Sequence, residues 1–126
     1  MSQPVWQLTI RSEFCSAHAL RHYKGKCEHG HNYGVKVVVE GSRLSEDTEL
    51  LMDFGDLKAI LKDVLETLDH QHLNELPPFD VINPSSENLA RHIWKAMAPA
   101  LPEQVRLVAV TVAEKGIQSA TYMERD

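Results

Sequence analysis

His29-Gly30-His31-Asn32-Tyr33-Gly34-Val35-Lys36-Val37-Val38-Val39-Glu40 reads as a strand, and the rest of the chain can be placed around it. Tyr33, Val35, Val37 and Val39 recur at every second position, while Asn32, Lys36 and Glu40 take the other parity. That period is the signature of a strand with one buried face. His29 and His31 share the apolar parity, so both imidazoles are expected at one end of that face. N-terminal to this run, Trp6, Leu8, Ile10 and Phe14 alternate with Gln7, Thr9, Arg11 and Glu13, which predicts a first strand from Trp6 to His18. His18 has the parity of its apolar side. Residues 19–28 are polar, lose the alternation and read as a loop.

C-terminal to the quoted run, a polar turn at Gly41-Ser42-Arg43 leads to a segment of different period. Leu57, Ile60, Leu61, Val64, Leu65 and Leu68 follow helical spacing, which predicts an amphipathic helix over Asp53 to Leu68. Asp53 and Asp56 suit its N-cap and first turn. Residues 69–84 read as a long connection ending in Pro77-Pro78 and Pro84. Ser85 or Ser86 can cap a second helix to about Ala98, with Leu89, Ile93 and Met97 inward and Trp94 beside them. Val105 to Glu114 and Ile117 to Glu124 then read as strands joined at Lys115-Gly116. The order ββααββ predicts an α+β fold: a four-stranded, largely antiparallel sheet with two helices on one face. In the third strand both parities are apolar, Val108, Val110 and Val112 against Val105, Leu107 and Ala109. Burial on both faces, and hence an oligomer, is the expectation.

At 126 residues the chain is sized for a single domain spanning 1–126, and 13 Lys+Arg against 18 Asp+Glu give a net charge of −5. No basic cluster offsets that balance, so neither nucleic acid nor an anionic membrane is expected as a partner. Without an apolar run of membrane-spanning length or a signal-like N-terminus, the expected location is cytoplasmic. Two cysteines, Cys15 and Cys27, are too few for a disulfide frame.

Among seven histidines, His18, His29 and His31 fall within fourteen residues. In a strand, His29 and His31 point the same way with Cα atoms about 6–7 Å apart, close enough for one ion. His18 on a neighbouring strand could add a third nitrogen. Three imidazoles with one open position describe a catalytic zinc, but the residues also permit a Cys27/His29/His31 site or a plain surface pair. His22, His72 and His92 read as solvated or packing residues, His92 on the polar face of its helix. Cys27, between Lys26 and Glu28, is either a reactive thiolate or an ordinary loop thiol. Asp69-His70, where the first helix ends, is either an acid–base pair or a histidine facing the helix dipole. Glu114 closes the apolar parity of its strand and could bind two N–H groups of a ring edge, or pair with Lys115 in solvent.

Taken in order, several segments resemble the 6-pyruvoyltetrahydropterin synthase / 6-carboxytetrahydropterin synthase family. They are Phe14-Cys15-Ser16-Ala17-His18, Cys27 before His29-Gly30-His31-Asn32-Tyr33, Met52-Asp53-Phe54-Gly55-Asp56-Leu57-Lys58, Leu68-Asp69-His70-Gln71-His72-Leu73-Asn74, Pro84-Ser85-Ser86-Glu87-Asn88-Leu89-Ala90, and Glu114. The resemblance implies a tunnelling fold whose trimers join sheets into a barrel and stack into homo-hexamers. It implies zinc on His18, His29 and His31, and Cys27 as proton acceptor. Asp69 and His70 become the acid–base dyad and Glu114 the pterin anchor, with Ser86 and Glu87 lining the pocket. The implied substrate is 7,8-dihydroneopterin triphosphate. The expected reaction is the 6-carboxytetrahydropterin synthase reaction, which releases acetaldehyde and triphosphate in queuosine-type deazapurine synthesis. The pyruvoyl-forming elimination, side-chain cleavage to a hydroxymethylpterin, and a non-catalytic pterin- or metal-binding oligomer are the alternatives. Two departures are evident: only Glu28 separates Cys27 from His29, a short interval for the family, and Ser85 stands where threonine is frequent. Lys24, Lys26 and Lys36 are candidates for the triphosphate.

Overall fold

The computed structural model describes residues 2–18 and 29–126, with residues 18, 29 and 30 described as backbone alone. Cys27, Lys24, Lys26 and His22 lie outside the described residues. Strands β1 (Trp6–His18) and β2 (His29–Gly41) pair antiparallel in unbroken register from Trp6 opposite Gly41 to His18 opposite His29. Helix α1 (Phe54–Glu66) begins at Asp53, whose carboxylate accepts from the Gly55 and Asp56 amides. Helix α2 (Ser86–Met97) begins at Ser85, whose hydroxyl accepts from the Asn88 amide. Both caps satisfy N–H groups that a first helical turn leaves open.

Between the helices lies a two-residue strand, β3 (Gln71–His72), and after them come β4 (Arg106–Glu114) and β5 (Gln118–Tyr122). The described residues thus form a five-stranded sheet of order β3-β1-β2-β4-β5. Four strands are antiparallel, as expected; β3 is an addition, running parallel to β1 at its edge. Two residues cannot display a period, so this strand left no mark on the hydropathy pattern. The connection that carries it is well packed, because Leu73 and Phe79 are fully buried there.

Leu57, Leu61 and Leu65 of α1 and Leu89, Ile93 and Met97 of α2 share one core with Ile10, Phe14, Tyr33, Val35, Val37, Val110 and Val112 of the sheet. The apolar parities of β4 have a local cause. Val38 pairs with Ala109 but Val39 pairs with Leu107, so Val108 is an extra residue in a bulge. A bulge shifts parity by one. Leu107 therefore joins Val110 and Val112 in burial, while Val108 and Ala109 are only half-buried. The two-sided pattern in β4 is accounted for within one chain and no longer argues for a second covering layer. Among the described residues no helix is long and apolar enough to cross a membrane.

Candidate active site

The core face of the β1–β2 ladder changes character along its length. Ile10 opposite Val37 and Phe14 opposite Tyr33 are apolar or aromatic rows; Ser16 opposite His31 and His18 opposite His29 follow. Directly opposed residues share a face, so the register sets three histidine positions within two adjacent rows at one end of the sheet. His31 is buried, and its ring meets that of Tyr33 edge-on at 5.8 Å. Tyr33 in turn stacks on Phe14 at 4.9 Å. The histidine positions are backed by a rigid aromatic pair rather than by a loop.

On its other side Tyr33 stands opposite Glu114, the last residue of β4. Burial first, and the neighbouring Glu114 carboxylate second, push the Tyr33 phenol well above its ordinary pKa, so it stays neutral. Glu114 accepts from the Ser86 hydroxyl at 3.2 Å and, at 3.5 Å, from the Gln118 side-chain amide. Among the described residues it has no ion pair, not even with Lys115. Its carboxylate is held by neutral donors and keeps capacity to accept more. Glu87, one residue past Ser86, stands exposed and outside this bonded set.

The third component follows α1. Thr67 caps the helix end, and the chain turns through Leu68 and Asp69, whose amides both bond back to Leu65. His70 then takes a φ of 56°, a conformation costly for a bulky side chain. Asp69 Oδ1 accepts from the Cys15 amide at 2.8 Å, and Asp69 Oδ2 lies 3.0 Å from His70 Nδ1. The Cys15 amide first, with His70 adding to it, holds the Asp69 carboxyl below its ordinary pKa. An ionised Asp69 fixes the tautomer with the proton on Nδ1, leaving Nε2 of His70 to exchange protons. The His70 side chain is 81% exposed. The histidine is therefore not a C-terminal partner of the helix dipole; it has turned past the helix and faces outward.

Asp69, His70, Glu114, Ser86 and His31, together with the backbone positions of His18 and His29, gather at the end of the sheet where β1 ends, β2 begins and β4 ends. Two residues are placed otherwise than expected. Lys36 has the opposite parity to His31 on β2, so it belongs to the other face and away from this cluster. His92 is half-buried with its ring 5.2 Å from Phe79, and burial lowers its pKa; it packs rather than faces solvent. Sequence reasoning missed Ser16, a hydroxyl at the apolar parity between Phe14 and His18, and the contribution of Cys15 through its backbone. Histidine at all three of these strand positions, with carboxylates kept to neighbouring elements, is a set of residue types that fits zinc.

The sequence matches the family model described as 6-pyruvoyl tetrahydropterin synthase over residues 7–125. The chain belongs to that family. A 6-pyruvoyl tetrahydrobiopterin synthase of Dictyostelium discoideum is 36% identical over 121 residues, covering 85% of this chain and 89% of that protein. A dihydroneopterin monophosphate aldolase of Pyrococcus furiosus is 32% identical over 108 residues, covering 86% and 89%. A provisionally named 6-carboxy-5,6,7,8-tetrahydropterin synthase of Archaeoglobus fulgidus is 36% identical over 91 residues, covering 71% and 73%. The solved 6-pyruvoyl tetrahydropterin synthase of Caenorhabditis elegans superposes with a TM-score of 0.83 at 27% identity, covering 99% of both chains. As a member of this family the chain is a lyase of pterin metabolism, from a group of enzymes that generally depend on zinc.

Proposed function

We propose that residues 1–126 form one pterin synthase domain that converts 7,8-dihydroneopterin triphosphate to 6-carboxy-5,6,7,8-tetrahydropterin, releasing acetaldehyde and triphosphate. The observation that carries this reading is the gathering of a free-lobed carboxylate, Glu114, and an acid–base pair, Asp69–His70, at the sheet end where the register aligns His18, His29 and His31. Glu114 accepts the ring N–H and amino group of the pterin, and Ser86 fixes which of its oxygens faces the ring. His18, His29 and His31 hold zinc, which when bound supplies Lewis-acid polarisation of side-chain oxygens. His70 Nε2 moves a proton at the substrate side chain while Asp69 keeps Nδ1 protonated. Cys27, outside the described residues, is the proton acceptor on the opposite side. Exposure of His70 in the single chain suits a site completed by neighbouring copies, and the functional unit in this reading is a cytoplasmic homo-hexamer.

A second reading has a specific observation behind it. The Dictyostelium relative covers more of this chain than the Archaeoglobus relative does and bears the pyruvoyl-forming name. In that reaction triphosphate leaves but every side-chain carbon is kept. Incubating the purified protein with 7,8-dihydroneopterin triphosphate and identifying the carbon fragments separates the readings. Acetaldehyde with triphosphate is the expected result. Triphosphate alone moves the assignment to the pyruvoyl reaction, and a hydroxymethylpterin with a two-carbon aldehyde moves it to the aldolase. Absence of turnover by zinc-loaded protein leaves a binding module.

A further inference from the structure

The dyad and the histidine rows are fastened to one another by a residue that has no place in the chemistry. Ser16 is buried, 5% exposed, on the core face of β1. Across one side of its strand it stands opposite His31, and across the other it pairs with Gln71 of β3. Its hydroxyl donates to the carbonyl of Leu68, the residue immediately before Asp69. That carbonyl lies past the last turn of α1, where no helical N–H is available to it. The preceding residue, Cys15, adds two backbone bonds: its amide donates to Asp69, and its carbonyl accepts from the His70 amide at 2.5 Å.

We propose that Ser16 is a positioning residue, its hydroxyl locking the turn that carries Asp69–His70 to the strand position facing His31, so that acid–base pair and metal row keep one spacing. The proposal rests on the reading of Asp69–His70 as the acid–base pair. A fastening is needed because the turn holds His70 at a φ of 56°, away from the conformations its side chain favours. Of the bonds to β1, the two from Cys15 are made by backbone that any residue supplies. On the β1 side, the Ser16 bond alone depends on which side chain is present. Without it, the buried Leu68 carbonyl loses its donor and the turn relaxes toward a less strained path. Displacement of a proton-transfer group by about 1 Å can lower a rate by about 100-fold.

The test uses the full chain loaded with zinc and compares Ser16→Ala with Ser16→Thr, which keeps the hydroxyl. Long-range 1H–15N spectra of His70 report its tautomer without substrate or turnover. For Ser16→Ala the expected result is loss of the Nδ1–H preference, kcat lower by roughly 10- to 100-fold, and KM within about twofold of the parent. Zinc content stays unchanged, and Ser16→Thr restores tautomer and kcat. Should Ser16→Ala fail to fold by circular dichroism, Ser16→Cys keeps the volume with a weaker donor, and the same readouts decide. A parental His70 spectrum with parental kcat in the hydroxyl-free variant overturns the assignment, as does zinc loss in proportion to activity loss. If the parent itself does not act on 7,8-dihydroneopterin triphosphate, the functional reading fails, yet the His70 spectra still decide the role of Ser16.

Discussion

The β2–β4 ladder carries a glutamate near each end, and the two are treated in opposite ways. Glu40 lies opposite Arg106 and, on its other side, opposite Gln7. It accepts from Arg106 Nε at 3.1 Å, from Arg106 Nη2 at 2.5 Å and from Gln7 at 3.1 Å. Glu114 lies opposite a buried tyrosine and, among the described residues, accepts only from a serine hydroxyl and a distant amide. A carboxylate matched by a guanidinium has its charge and lone pairs committed within the fold. One faced by neutral donors keeps both for a ligand. The proposed chemistry belongs to the second end, where the histidine positions and, through β1, the Asp69–His70 turn also lie.

The largest break in this contrast is expected from His31→Ala, which removes the buried member of the histidine rows. Stoichiometric zinc should be lost, and turnover should fall by roughly 1,000-fold or more, since the metal supplies several kcal/mol of charge stabilisation. Metal analysis of the dialysed protein, alongside product formation, checks both. Full zinc retention would mean that the register-aligned histidines are not the ligand set. Next comes Glu114→Gln, nearly isosteric but unable to accept charge-assisted bonds from a ring edge. With such bonds worth about 1.5–3 kcal/mol, kcat/KM should fall roughly 10- to 100-fold while folding and zinc content stay near parental. A kcat/KM unchanged by this substitution would reduce Glu114 to a strand-end residue like Glu40.

At the opposite end a comparable free energy should act on stability instead. A Cβ at Gly41 would meet the Gln104 carbonyl oxygen and the Leu51 side chain, so Gly41→Ala forces a methyl group against backbone that must shift. Overpacking of this kind costs about 1–3 kcal/mol. Urea denaturation should report the loss, while kcat/KM per folded molecule stays parental. Loss of activity without loss of stability would show that the two ends are not independent.

Elements with a sustained period were legible in the sequence; single residues that break a period were not. β1 and β2 followed from alternation, and the helix starts from Asp53 and from Ser85 or Ser86, of which Ser85 is the cap, because those signals extend over many positions or rest on cap chemistry. β3 is two residues long, and the Val108 bulge is one residue, so neither had a pattern to display. The bulge also shows how an apolar run can mimic burial on both faces. At the candidate site, His31, Glu114 and Asp69–His70 were singled out by residue type on the apolar parity or at a helix end. Ser16 did not, since a lone serine between apolar residues has the same appearance whether it packs or fastens. Its bond partner, the Leu68 carbonyl, is backbone, and backbone is invisible to residue type.

The smallest expected effect isolates the closed end. Gln7 first and Arg106 second hold the Glu40 carboxyl below its ordinary pKa. A depressed folded-state pKa means that the unfolded chain takes up a proton at higher pH than the folded chain does. The contribution of Glu40 is therefore fully present above the unfolded value, about 4.3, and is lost as pH falls through the folded one. Glu40→Gln mimics the protonated form. Parent and variant should differ slightly in denaturation midpoint at neutral pH, the parent being more stable, and should converge in acid. Added salt should narrow the neutral-pH difference, because Arg106 is largely exposed and its attraction is screened. The pH profile of turnover should be unmoved, since this carboxylate sits at the far end of the ladder from His70. A difference that widened toward acid would have the wrong sign for a depressed carboxylate, and a shifted turnover profile would show that Glu40 is felt at the site.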